Sequence, residues 1–153
     1  MNDVVELVPE IEEPVRQSIF DICETDGEAE ENGKWFNDVF EDGSDIAVKL
    51  RRMTSKKSTT VRRRLEKQFK NHQKRDGTWD EDIAEKMVLR QMVEAVIVDW
   101  KNIIDRDGSV IEHSIESAEM LIGRLPAFRD LLINLSIDMD NYRMAAVEDA
   151  AKN

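Results

Sequence analysis

Ile46, Val48 and Leu50 alternate with Ala47, Lys49 and Arg51, a two-residue period that predicts a strand over 45–53. Trp35 to Glu41 reads as its hairpin partner, with Asp42-Gly43-Ser44 as the turn, because Gly supplies the positive φ that such turns need. Two strands alone are marginal in water, so helices must cover their apolar face. The period then lengthens. Val61, Leu65 and Phe69 stand at i, i+4 and i+8, the stripe of a helix over about 58–72, entered from a Ser/Thr/Lys loop that offers N-caps. Thr78-Trp79-Asp80-Glu81 has the form of a capping box and predicts a helix running to about Ile103. Its apolar stripe at Ile83, Met87 and Met92 widens to nearly every face at Val96, Ile97, Val98 and Trp100, so this half is either a central core element or a partner surface. Asp105 to Ile111 reads as a turn with a short extended exit. Ser114 caps a helix with Ile115, Ala118, Leu121 and Ile122 inward, and Gly123 lies near its end. Pro126 suits the first position of a last helix, along which Phe128, Leu131, Leu132, Leu135, Met139 and Tyr142 follow a helical period.

The remaining segments are poorer in pattern. Residues 1–14 mix acids with Val, Leu, Ile and two prolines and are expected to be poorly ordered or loosely docked. Val15 to Cys23 fits a short strand or one to two helical turns. Asp26 to Asn32 reads as an acidic loop with too little apolar content to pack. The Ala-rich end from Ala145 to Asn153 is expected to fray. The expected fold is α+β and mainly helical, a small antiparallel sheet on a bundle of about four helices. Its expected divisions are an acidic, partly disordered segment 1–32, a single domain 33–144, and a flexible tail 145–153.

Charge changes this picture. The chain has 153 residues and a net charge of −11, but the charge is segregated. Residues 1–45 hold 15 acids and 2 bases, residues 46–75 hold 12 bases and 1 acid, and residues 76–153 hold 17 acids and 8 bases. Blocks of this kind attract one another or outside partners of opposite sign. The acidic head therefore either folds back over the basic helix or leaves it for a partner. The length suits one domain. No 18-residue apolar run is present, so no membrane span is expected, and the acidic start Met1-Asn2-Asp3-Val4-Val5-Glu6 lacks the basic region of a secretory signal. The single cysteine, Cys23, cannot form an internal disulfide.

Catalytic chemistry has few footholds. His72 and His113 lack the neighbours of a zinc site, Cys23 stands in an acidic context that works against a reactive nucleophile, and no nucleotide-binding or nucleophile-elbow motif occurs. No cofactor or metal is expected, and the chain is not expected to be an enzyme. Asp105, Asp107, Ser109 and Glu116 mimic positions 1, 3, 5 and 12 of a calcium loop, but position 6 is Val110 where the sharp turn needs Gly. Arg62, Arg63, Arg64, Lys67 and Lys70 form a basic face that could meet phosphates. Against that stand the acidic remainder of the chain and the lack of interleaved aromatics for base stacking. Met87, Met92, Met120, Met139 and Met144 fall on or near apolar faces, where adaptable Met side chains serve either as core filler or as a surface for varied helices.

An apolar helix ending in Trp100, an acidic turn at Asp107-Gly108, a helix entered at Ser114 with Ala118 and Leu121, then Pro126, Phe128 and Leu132 form an ordered series. Together with Gly33-Lys34-Trp35 and the Val48–Arg52 strand before a basic helix, this series resembles the tail assembly chaperones of long-tailed, siphophage-type bacteriophages. The resemblance covers residues 33–142. It implies a protein of the host cell cytoplasm that binds and solubilises the tape-measure protein, helps recruit tail-tube subunits, and is absent from the finished virion. It also implies a groove for partner helices, for which Met120, Leu131, Leu135, Met139 and Tyr142 are the candidate lining, with core packing as the alternative. Trp35, Trp100, Gly108 and Pro126 are expected to be structural. Ala151-Lys152-Asn153 can be encoded by a slippery heptamer, so the resemblance further implies a frameshifted longer form, and self-association is open. The alternative is a small nucleic-acid-binding regulator acting through the basic helix 61–70.

Overall fold

The computed structural model describes residues 12–144 and residue 146. The expectations for 1–11, and nearly all of that for the tail from 145, lie outside the described residues. Two short helices come first, α1 (Ile19–Cys23) and α2 (Gly27–Asn32), followed by strands β1 (Lys34–Phe36) and β2 (Ala47–Leu50). Next come α3 (Lys56–Gln68), α4 (Glu81–Gln91), a single turn of π-helix (Met92–Val96) and β3 (Ile97–Lys101). Helices α5 (Ile115–Arg124) and α6 (Pro126–Ile137) and a 3-10 turn (Met139–Tyr142) close the chain. The fold is α+β, with a three-stranded antiparallel sheet in the order β1-β2-β3.

The alternation in β2 sorts the sheet into two faces. Val48 lies opposite Phe36 and Trp100, and this row is buried with Leu50 in the core. Lys49 lies opposite Trp35 and Asp99 on the outer face, where oppositely charged cross-strand neighbours are favourable. The Lys101 ammonium sits 4.2 Å from the Trp35 ring centre on that face. Against the inner face pack Ala118, Leu121 and Ile122 of α5, Phe128 and Leu132 of α6, and Tyr142. A smaller cluster joins α3 to α4 through Val61, Leu65, Met87 and Ala95, so the stripe predicted for α3 is its buried face.

Several expectations are corrected. The helix predicted to run to Ile103 stops at Gln91, and its apolar half is the π-turn and an edge strand. A run that is apolar on every face fits a buried strand as well as a buried helix. Here the β-branched Val96-Ile97-Val98 favours the strand. The helix begins at Glu81 rather than with a Thr78 box, because the Asp76 carboxylate accepts both the amide (2.9 Å) and the hydroxyl (2.6 Å) of Thr78. Helix α3 starts at Lys56 rather than about Ser58, capped by Ser55 from the Ser/Thr/Lys loop; Ser58 is buried, and its hydroxyl accepts from Gln91 Nε2 at 2.7 Å. Asp26 to Asn32 is not a loop. The Asp26 carboxylate caps α2 at the amides of Glu28 and Ala29 (3.0 and 3.1 Å), and Ala29 joins the core. The folded body therefore begins before residue 33. The β1–β2 connection is no tight hairpin but a long loop whose Val39, Phe40 and Ile46 pack on the core, with Phe40 stacked on Phe128.

Candidate functional site

Three turns share one sequence form: Asp42-Gly43-Ser44, Asp76-Gly77-Thr78 and Asp107-Gly108-Ser109. In each, Gly has φ between 79° and 86° and the Asp carboxylate accepts the amide of the residue two further on at 2.9 Å. Hydrogen bonds from these residues lower all three carboxyl pKa values, chiefly from the amide at Asp42 and Asp107 and from the Thr78 hydroxyl and then its amide at Asp76. The third turn closes a small hairpin after β3. The Asp105 amide donates to Ser109 O (2.7 Å) and the Ile111 amide to Ile103 O (2.8 Å), and Ile104 pairs with Val110. Side chains alternate along such a ribbon. Ile103 accordingly enters the core and Ile111 packs against it, while Ile104 and Val110 are 59% and 62% exposed.

This hairpin is fixed from below. Trp100 donates its indole N–H to Ile111 O at 2.7 Å, and its ring meets His113 edge-on at 5.0 Å between centres. Ser114 then starts α5 through a reciprocal box with Ser117, and Pro126 starts α6. Leu125 is confined between them, since the residue before Pro is kept from helical geometry. It projects half-exposed beside Met120. Ile104, Ile111, Met120, Leu121 and Leu125 line a groove of about 400 Å³ flanked by Asp105, Arg106 and Arg124.

A second groove, of about 630 Å³, lies along the opposite edge of α5, between α3 and α4. Its floor is apolar: Leu65, Phe69, Leu89 and Val93, with Gly123 at its wall. Across its rim runs a chain of ion pairs, Arg64 to Glu94, Arg90 to Glu94 at 3.0 Å, and Arg90 to Glu119 at 3.6 Å. Lys86 is also on the rim, without an acidic partner among the described residues.

The basic face of α3 divides in the same way. Arg62 pairs with Glu66 and Arg64 with Glu94, whereas Arg63, Lys67 and Lys70 have no acidic partner among the described residues. Acids of α2 reach only the start of the basic block. Glu30 pairs with Arg52 at 2.5 Å, and the Glu31 carboxylate accepts the Lys56 amide at the N-terminus of α3.

The five residues proposed to line one groove are not brought together. Met120 is exposed and lines the smaller groove. Leu131, Leu135 and Met139 are half-buried, Leu135 against the core. Tyr142 is fully buried, donates its hydroxyl to Leu50 O at 2.9 Å and meets the Phe36 ring edge-on, so it is core and not groove lining. Burial pushes its phenol pKa well up. Trp100 and Gly108 sit in the core and the turn, and Pro126 at a helix start, as structural residues; Trp35 holds the outer sheet face. Sequence reasoning missed Ile104, Val110 and Leu125. The signal was there in Ile103-Ile104 and Val110-Ile111, two apolar pairs flanking a turn, of which alternation must expose one member each.

Compared with known proteins, residues 53–153 match a family model described as YdaY prophage protein. The matched span begins between β2 and α3 and takes in the residues of both grooves. No curated protein and no solved structure matches the chain.

Proposed function

The chain belongs to the YdaY prophage protein family, and from that premise we propose that it is a non-enzymatic assembly protein, a phage tail assembly chaperone. It binds amphipathic helices of the tape-measure protein in the host cytoplasm, keeps them soluble, helps recruit tail-tube subunits, and departs before the virion is complete. The observation that carries this reading is the exposed apolar set Ile104, Met120 and Leu125 lining the smaller groove, with exposed Val110 paired to Ile104 on the same hairpin. Side chains of this kind, held on a hairpin and a helix that are themselves fixed to the core, suit the i, i+3, i+4, i+7 anchors of a partner helix. Arg106 and Arg124 at the flanks favour acids beside those anchors. The acidic remainder of the surface keeps a loaded complex soluble. The resemblance of residues 33–142 to tail assembly chaperones supports the choice of partner.

The test is co-expression with the tape-measure protein of the same phage, followed by size exclusion. That protein is expected to be insoluble alone and to co-elute with this chain. The double substitution Ile104→Asp and Met120→Asp changes only exposed side chains, so it should leave the melting temperature in place and abolish co-elution. A tape-measure protein that stays insoluble beside the unaltered chain refutes the reading. Arg63, Lys67 and Lys70, without acidic partners among the described residues, favour a second reading, nucleic-acid binding. Three phosphate contacts would make affinity fall by roughly three log units per log unit of salt, whereas binding of an apolar helix changes little.

A further inference from the structure

Residues 12–24 hold an apolar set that the fold does not use. Helix α1 buries none of its side chains, and Val15, Ile19 and Phe20 are 94%, 63% and 72% exposed. A five-residue helix has little stability of its own in water, so burial is what would hold it. The same segment is acidic, with Glu12, Glu13, Asp21 and Glu24 against Arg16. The groove between α3, α4 and α5 has the complementary character. Its floor is Leu65, Phe69, Leu89 and Val93; Lys86 on its rim and Arg63, Lys67 and Lys70 beside it lack acidic partners among the described residues. Its volume of about 630 Å³ is enough for two large side chains.

We infer that this arm of one copy seats in the α3–α4–α5 groove of a second copy, Ile19 and Phe20 on the floor and the arm's acids toward Lys86, Arg63, Lys67 and Lys70. The arm's root favours a second copy over the same chain. Asp26 donates its amide to Tyr142 O, and Thr25 bridges to Arg143, so the arm is fastened three residues after Cys23. Within the one chain Ile19 and Phe20 stay exposed and neither lines the groove, whereas a second copy brings arm and groove together with α1 intact. Reciprocal exchange satisfies both arms and both grooves and closes a two-fold dimer. Two short arms bury an area at the small end of protein interfaces, so the dimer is weak and concentration-dependent. The inference does not depend on the partner of the smaller groove.

Cys23 is exposed, is the chain's single cysteine, and stands on the arm, which makes it a labelling site. The full chain is labelled there with benzophenone maleimide, mixed with a nitrogen-15-labelled copy and photolysed, and the products are mapped by mass spectrometry. Unlabelled protein is sedimented in parallel. The expected result is heavy–light cross-links from Cys23 to the segments around Gln68 and Lys86, with a monomer–dimer equilibrium. The pair Ile19→Asp and Phe20→Asp should abolish both while leaving the melting temperature unchanged. Lys86→Glu should weaken the dimer about tenfold. Cross-links confined to one chain, cross-links to other surfaces, or a monomer at several hundred micromolar would each overturn the inference.

Discussion

The hairpin that presents Ile104 and Val110 depends on one indole. Trp100 is 5% exposed and donates its N–H to Ile111 O at 2.7 Å; this carbonyl accepts no other hydrogen bond among the described residues. Trp100→Phe removes the donor and one ring. An acceptor left unpaired in the interior costs about 1–3 kcal/mol, and Ile111 is half-buried, so the lower part of that range applies. The lost ring forfeits roughly another 1 kcal/mol of burial. The expected destabilisation is ~2–3 kcal/mol, a fall in melting temperature of roughly 6–12 °C for a domain of this size. Urea unfolding should show the midpoint falling with an unchanged slope. Amide exchange gives the sharper test. The Asp105 and Ile111 amides cross the hairpin, and their protection should fall by more than that of Leu132 in α6, because the variant loosens the hairpin as well as the whole. A stability change below about 0.5 kcal/mol, or equal loss of protection at all three amides, refutes the argument that Trp100 pins the hairpin.

Tyr142→Phe should cost about 1–2 kcal/mol in urea unfolding, because Leu50 O loses a buried donor, and should leave partner binding in place. Asp26→Ala should lower stability by about 0.5–2 kcal/mol through the amides of Glu28 and Ala29, read by thermal melting. The carboxyls of Asp42, Asp76 and Asp107 have folded pKa values below their unfolded ones. Their contribution is therefore present above the unfolded value near ~4 and is lost as pH falls through the folded values. Nuclear magnetic resonance titration should place all three below ordinary Asp, and Asp107→Asn should flatten the acid limb of the stability curve.

What was legible in the sequence was local. The Val61-Leu65-Phe69 stripe, the Ser114 cap, the Pro126 start and the Asp42-Gly43 and Asp107-Gly108 turns each act within a few residues, so their pattern survives without the rest of the fold. What was not legible rests on distant partners. Helix α2 is poor in apolar residues, and it folds because Glu30 finds Arg52, Glu31 finds the Lys56 amide and Ala29 finds the core. The end of α4 at Gln91 is set by the place for a third strand beside β2; the β-branched Val96-Ile97-Val98 suits that strand but does not mark where the helix stops. Tyr142 follows a helical period after α6, yet its position in a 3-10 turn sends its ring under the sheet to Leu50, across 92 residues of sequence.

Gly123 separates what the fold needs from what its surface offers. It lies in α5, outside the positive-φ set, and a Cβ there would meet nothing within 4 Å. Neither backbone conformation nor packing inside this chain calls for glycine, and glycine in a helix interior costs about 0.5–1 kcal/mol relative to alanine. Gly123 stands next to the last residue of α5, so Gly123→Ala should stabilise by about 0.5 kcal/mol, visible as a small rise in melting temperature. It also forms part of the wall of the larger groove, and there a missing side chain is room. Gly123→Leu should therefore keep the stability while closing the groove, so that cross-linking from Cys23 between copies is lost. Should that variant lose more than about 1 kcal/mol, the glycine serves packing, and the claim that the fold has no use for it is wrong. Should stability and cross-linking both persist, the arm does not seat beside α5.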